Sequence, residues 1–179
     1  MYKNFSEILI NEEKLQKKVK EIADKISEDY KGETPLFICI LKGSVFFTAD
    51  LLRYLSIPCH MEFMSVSSYG AGTESSGEVK LVKDLGVPIE NKHVIVIEDI
   101  IDSGNTLSYL KRLLLQRKPA SLKICTLLDK PSRRKVDLKA DYVGFEIPDE
   151  FVIGYGLDYN EDFRQIPEVC ILKREVYEK

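Results

Sequence analysis

Apolar positions fall into two rhythms along this chain. Between residues 12 and 30, Leu15, Val19, Ile22 and Ile26 recur at spacings of four, three and four. That spacing predicts one face of an amphipathic helix, with Asn11 placed to cap it. Residues 36–41, LFICIL, are apolar without a break between Pro35 and Lys42-Gly43-Ser44, the pattern of a strand covered on both faces. Helical spacing returns over 45–55, with Phe46, Ala49, Leu52 and Leu55 as the predicted inward face and Arg53 pointing out. Another helix is predicted over 106–116, on Leu107, Leu110, Leu113 and Leu114, ahead of Pro119. Further strands are predicted over 60–66, 78–82, 93–97, 122–128, 142–146, 151–153 and 169–172. Residues 133–141, RRKVDLKAD, read as an exposed connection.

Strands that alternate with helices through the middle of a chain predict an α/β fold with a mostly parallel central sheet flanked by helices. Ligands then bind beyond the carboxyl ends of the strands. The loops after Leu41, Ile97, Leu128 and Ile153 should share one rim, and strand 169–172 should close the sheet. Residues 67–77, SSYGAGTESSG, hold too little apolar surface to pack and suit a loop used as a lid. Neither an internal repeat nor a linker interrupts the chain, so 1–179 reads as a single domain.

Composition narrows the setting. No apolar run approaches the ~20 residues of a membrane span, and the opening MYKNFSEILINEEK lacks the apolar core of a secretion signal. Cys39, Cys59, Cys125 and Cys170 form no CxxC and sit in or beside apolar runs, which suits buried free thiols in a reducing, cytoplasmic setting. A net charge of −3 gives no general case for nucleic-acid or membrane partners. Between Lys111 and Lys135, however, nine basic residues accompany a single acid, Asp129. A solvated helix face and surface loop is the ordinary reading; an RNA-binding patch or attraction of an anionic substrate is the sharper one.

The most specific chemistry lies in VIVIEDIIDSGNTL, 94–107. A buried strand ends in two adjacent carboxylates, Glu98 and Asp99. Asp102 and the small polar run Ser103-Gly104-Asn105-Thr106 then open a helix. Free N–H groups and partial positive charge at a helix start bind phosphate. Paired acids suit a ribose diol or a magnesium ion. Helix capping explains Asp102 or Ser103 but not Glu98-Asp99, so the pair of features points to a ribose phosphate.

This pattern resembles the phosphoribosyltransferase family, which uses 5-phosphoribosyl-1-pyrophosphate (PRPP). LKGS at 41–44, SSYG at 67–70, DKP at 129–131 and EFVIGYGLDYNEDFR at 150–164 extend the likeness over nearly the whole chain. They narrow it to the 6-oxopurine branch of hypoxanthine-guanine type. The resemblance implies the type I fold of that family, with a small hood for the purine to which 151–179 contributes and a flexible lid at about 67–78. It implies transfer of phosphoribosyl from PRPP to hypoxanthine or guanine, in purine salvage, with release of pyrophosphate.

Residue roles are carried over from the same resemblance. Ser103, Gly104, Asn105 and Thr106 are expected to hold the 5′-phosphate, Asn105 standing where some relatives carry lysine. Glu98 and Asp99 are expected at the ribose hydroxyls, directly or through Mg2+. Asp102 is the expected catalytic carboxylate, handling the proton of the purine's imidazole ring. Lys42 and Gly43, after a peptide that is often cis in relatives, are expected at pyrophosphate with Arg164. Lys130 is expected to donate to the 6-oxo group, Phe151 to stack on the base and Val152 to meet its edge through the backbone. Asp158, beside the purine, is the expected second magnesium ligand. Ser68 and Tyr69 belong to the expected lid. The family also implies a homodimer or homotetramer. Two other readings keep the fold: a xanthine-preferring transferase, and a regulatory protein that senses PRPP and binds RNA.

Overall fold

A computed structural model describes residues 5–68 and 79–177. In chain order it contains β1 (Phe5–Ile10), α1 (Glu12–Asp29), β2 (Leu36–Leu41), α2 (Val45–Tyr54), β3 (His60–Ser68) and β4 (Val79–Lys83). There follow β5 (His93–Ile101), α3 (Asn105–Leu115), β6 (Ser121–Asp129), a 3-10 turn (Pro131–Arg133), β7 (Tyr142–Glu146), β8 (Val152–Ile153), β9 (Val169–Leu172) and α4 (Arg174–Tyr177). The central sheet has the order β4-β3-β2-β5-β6-β7. It is parallel from β3 to β7, with β4 antiparallel at one edge.

The unbroken apolar runs follow from burial on both faces. Phe37, Ile95 and Ile97 point into a core built with α1 and α2 through Leu15, Val19, Ile26, Phe47 and Leu51. Their neighbours Leu36, Ile38, Val94 and Val96 point the other way, onto Leu107, Leu110 and Leu114 of α3. Asn11 caps α1 as expected, its side chain accepting from the Lys14 N–H at 3.0 Å. The four cysteines are free, with Cys39, Cys125 and Cys170 buried and Cys59 partly so. No helix among the described residues is long and apolar enough to cross a membrane.

Several expectations need correction. In α2 the buried side chains are Phe47, Thr48 and Leu51, whereas Phe46 is 44% exposed and Ala49 faces solvent. Adjacent phenylalanines in a short, largely apolar helix leave the spacing ambiguous, and packing selects the second. β5 runs four residues past Ile97, so Glu98 and Asp99 lie inside the strand rather than after it. Pairing to β6 continues through Glu98↔Thr126 and Ile101↔Asp129, because backbone hydrogen bonds are indifferent to the acidic side chains.

β9 does not close the central sheet. It pairs antiparallel with β1 and β8 in a separate sheet of order β1-β9-β8, so the loop after Ile153 does not leave a parallel strand. β1 itself was missed by the hydrophobic pattern, since irregular register between Phe5/Glu7 and Ile8/Ile10 breaks its alternation. Residues 133–141 are not uniformly exposed: Leu138 is buried and Arg134 largely covered.

Candidate active site

The carboxyl ends of β2 and β5 open onto a cavity of about 320 Å³, lined by Lys42, Gly43, Glu98, Asp99, Asp102–Gly104, Thr106, Asp158 and Arg164. Three separated sequence blocks therefore meet in one place. Glu98 is only 8% exposed, beside part-buried Asp99. Burial, reinforced by the neighbouring Asp99 charge, pushes the Glu98 carboxyl well up; burial also raises Asp99. The Arg164 charge opposes this rise at Asp99 without cancelling it.

Gly104 caps α3 at φ +83°, a conformation that a side chain would disfavour. It forms the loop with Ser103, whose hydroxyl accepts from the Asn105 N–H at 3.4 Å. Thr106 lines the cavity in the first turn of α3. On the facing side, the Leu41–Lys42 peptide is cis, as the resemblance implied. A Cβ on Gly43 would fall 1.6 Å from Asp99 Oδ2, so only glycine lets this loop lie against the acids.

Arg164 reaches the same cavity from the loop after β8. Its guanidinium stands 2.9 Å from Asp158 Oδ1 and donates to the Gly156 carbonyl at 2.8 Å. Its Nε is buried with no hydrogen-bond partner. Asp158 also accepts the Glu161 N–H at 2.8 Å. Lys42 is tied across the mouth to Glu161 at 2.8 Å, and this contact holds the exposed Glu161 carboxyl below its ordinary range. The 154–164 loop also touches the β2 loop through backbone: a Cβ on Gly156, at φ +101°, would fall 2.0 Å from the Gly43 carbonyl oxygen.

Asp102 leaves the strand end toward a second group of residues. Its Oδ1 lies 2.8 Å from Arg133 Nε, yet it is buried without an aligned hydrogen bond. Arg133 also pairs with Asp149 at 3.3 Å. Lys130, at the end of β6, is 7% exposed, and its N–H donates to the Ile101 carbonyl at 2.9 Å. Burial lowers the Lys130 ammonium, opposed by the charges of Asp102 and Asp149. Phe151 is 37% exposed, stacked on Tyr177 with centroids 5.1 Å apart and edge-on to Tyr159. Val152 is buried in β8. Lys130, Phe151 and Val152 are not part of the cavity lining; Asp102 belongs to the cavity and also neighbours Arg133. Ser68 ends β3, and Tyr69 with most of the expected lid lies outside the described residues.

Residues 6–160 match the family model described as a phosphoribosyl transferase domain. The chain belongs to that family. It is 53% identical over 178 residues to the hypoxanthine-guanine phosphoribosyltransferase of Bacillus subtilis, covering 99% of each chain. It is 52% identical over 179 residues to the enzyme of that name from Staphylococcus epidermidis, covering 100% of each. The crystal structure of a hypoxanthine phosphoribosyltransferase from Staphylococcus aureus superposes with a TM-score of 0.96 at 50% identity, over 100% of this chain and 97% of that one. The type I fold expected from the sequence is therefore the fold observed.

Arg133, Arg134, Gly156 and Glu161 were not singled out by the sequence. The two arginines lay hidden in the basic stretch, where a charge count carries no information about partners. Much of that stretch is paired internally. Arg117 binds Asp84, Lys123 approaches Asp29, Arg133 spans Asp102 and Asp149, Arg134 binds Asp129, and Lys130 is buried.

Proposed function

We propose that this protein transfers the 5-phosphoribosyl group of PRPP to hypoxanthine or guanine, giving IMP or GMP and pyrophosphate, in purine salvage. The observation that carries this reading is Asp102. Its carboxylate lines the cavity beside the α3 loop, pairs with Arg133 at 2.8 Å, and acts by its charge on buried Lys130. A carboxylate at that junction is placed to take up a proton from a base bound beside Lys130.

In the reaction, the bond from ribose C1 to the pyrophosphate oxygen breaks and a bond to the purine nitrogen forms. The developing sugar cation resembles that of glycoside hydrolysis. Asp102 accepts or holds the proton of the purine's imidazole ring, so the base attacks with greater electron density. Ser103, Gly104, Asn105 and Thr106 hold the 5′-phosphate at the start of α3. Lys42, Gly43 and Arg164 hold pyrophosphate, and a guanidinium suits phosphate oxygens well. Lys130 donates to the 6-oxo group, Phe151 stacks on the ring, and Val152 meets the base edge through its backbone. Ser68 and Tyr69 belong to the lid that keeps water from the reacting centre.

Magnesium is the proposed cofactor. Glu98 and Asp99 suit it, because their burial leaves two raised carboxyls that a dication would favour in charged form. Asp158 is the proposed ligand on the pyrophosphate side. Among the described residues no group of three or more His, Cys, Asp or Glu could hold a metal alone. That suits magnesium, which keeps several waters and binds through one or two carboxylates plus substrate oxygens. When bound, it neutralises the phosphate charge. The proposed assembly is a cytoplasmic homodimer or homotetramer of single-domain chains.

A xanthine-preferring transferase differs only in contacts to one further carbonyl. The RNA-binding reading loses support, since four of the nine basic residues of its stretch (Arg117, Lys123, Arg133 and Arg134) are paired internally and Lys130 is buried. Magnesium-dependent formation of IMP from hypoxanthine and PRPP tests the proposal. IMP and pyrophosphate in equal amounts are expected, and no product with either 6-oxopurine would overturn it.

A further inference from the structure

The peptide units of the phosphate loop are aimed by a segment that the chemistry above leaves unused. After the 3-10 turn, the chain runs back beneath residues 102–104. There Arg134 Nη1 donates to the Asp102 carbonyl at 3.3 Å, and the Lys135 N–H donates to the Ser103 carbonyl at 2.9 Å. In a trans peptide, the C=O and the following N–H point in opposite directions. Drawing both carbonyls down toward 134–135 turns the N–H groups of Ser103 and Gly104 up, on the side of the cavity.

The same segment limits how low the loop sits. A Cβ on Gly104 would meet Val136 Cγ2 at 2.9 Å and Arg134 Cδ at 3.1 Å. The other guanidinium arm of Arg134 binds Asp129, the residue before Lys130. These partners are 16% and 14% exposed, so the pair is not a solvent-screened surface contact.

We propose that Arg134 is a positioning residue that orients the anion-binding peptides and thereby sets affinity for the 5′-phosphate. This rests on reading residues 103–106 as the phosphate site. The role needs the planar fork of arginine, with one arm on the Asp129 carboxylate and the other on the Asp102 carbonyl. A lysine keeps charge and much of the stem but ends in one nitrogen, which holds one of the two acceptors.

The test compares GMP with guanosine, which differ only in the phosphate. Calorimetric affinities are measured for the wild-type protein and for Arg134→Lys. GMP binding should weaken by about 10-fold or more, the effect of a lost hydrogen-bonding geometry to a charged group, with guanosine changed by less than about 2-fold. Should the lysine variant fold poorly, Asp129→Asn keeps Arg134, loosens its anchor and should show the same selective loss. A variant that retains the wild-type preference for GMP overturns the proposal, as does one that loses both ligands in equal proportion. If the wild-type protein binds GMP no better than guanosine, the phosphate-site reading fails first and takes this proposal with it.

Discussion

Asp102 and Lys130 are ordinary residue types whose surroundings give them work. Asp102→Asn keeps the shape of the side chain and removes its basicity. The expected result is a fall in turnover of about 100- to 10,000-fold, with PRPP affinity changed little. Steady-state kinetics alongside PRPP titration check this; unchanged turnover would remove the proton role. Asp102 was legible in the sequence because EDIIDSGNT is a contiguous run. Its pairing with Arg133 was not, because that contact joins residues 31 positions apart in a folded geometry. Lys130 is the reverse case. Nothing local distinguishes it from its basic neighbours, and only the resemblance singled it out before its burial was seen.

At the scale of elements, the carboxyl end of β5 carries a conflict between stability and use. A raised folded-state pKa means the folded protein binds that proton more tightly than the unfolded chain. Stability then falls as pH rises from the ordinary glutamate range through the raised value of Glu98. Glu98→Gln should therefore be more stable than the wild-type protein at pH 8 without magnesium, by on the order of 1–3 kcal/mol. The gap should close on acidification. Urea unfolding in chelator across that range checks it; a gap independent of pH would contradict the account. The contact between Gly156 and the Gly43 carbonyl makes a second case. Gly156→Ala should lower stability by roughly 1–3 kcal/mol and weaken pyrophosphate inhibition, read by thermal unfolding and product-inhibition kinetics. Element boundaries were mostly legible, since the two faces of β2 and β5 are both apolar. The end of β5 was not, because polar side chains there mask an unbroken backbone ladder.

Over the whole molecule, two sheets divide the labour. The parallel sheet and α3 present the proposed phosphate loop and the acids, while β8 and its flanking residues present Phe151 and Val152. Local periodicity showed the first sheet and also β8 and β9 of the second, but not β1 or the separate sheet that its pairing with β9 forms. The central claim is that a ribose-phosphate half and a 6-oxopurine half meet at Asp102. Base selectivity tests it most directly: PRPP-dependent kcat/KM for hypoxanthine, guanine, xanthine, adenine and uracil, in the wild-type protein and in Lys130→Ala. The account predicts strong preference of the wild-type protein for hypoxanthine and guanine, and a loss of about 10- to 100-fold on those bases in the variant. Wild-type selectivity persisting in Lys130→Ala, or equal use of adenine by the wild-type protein, would contradict it.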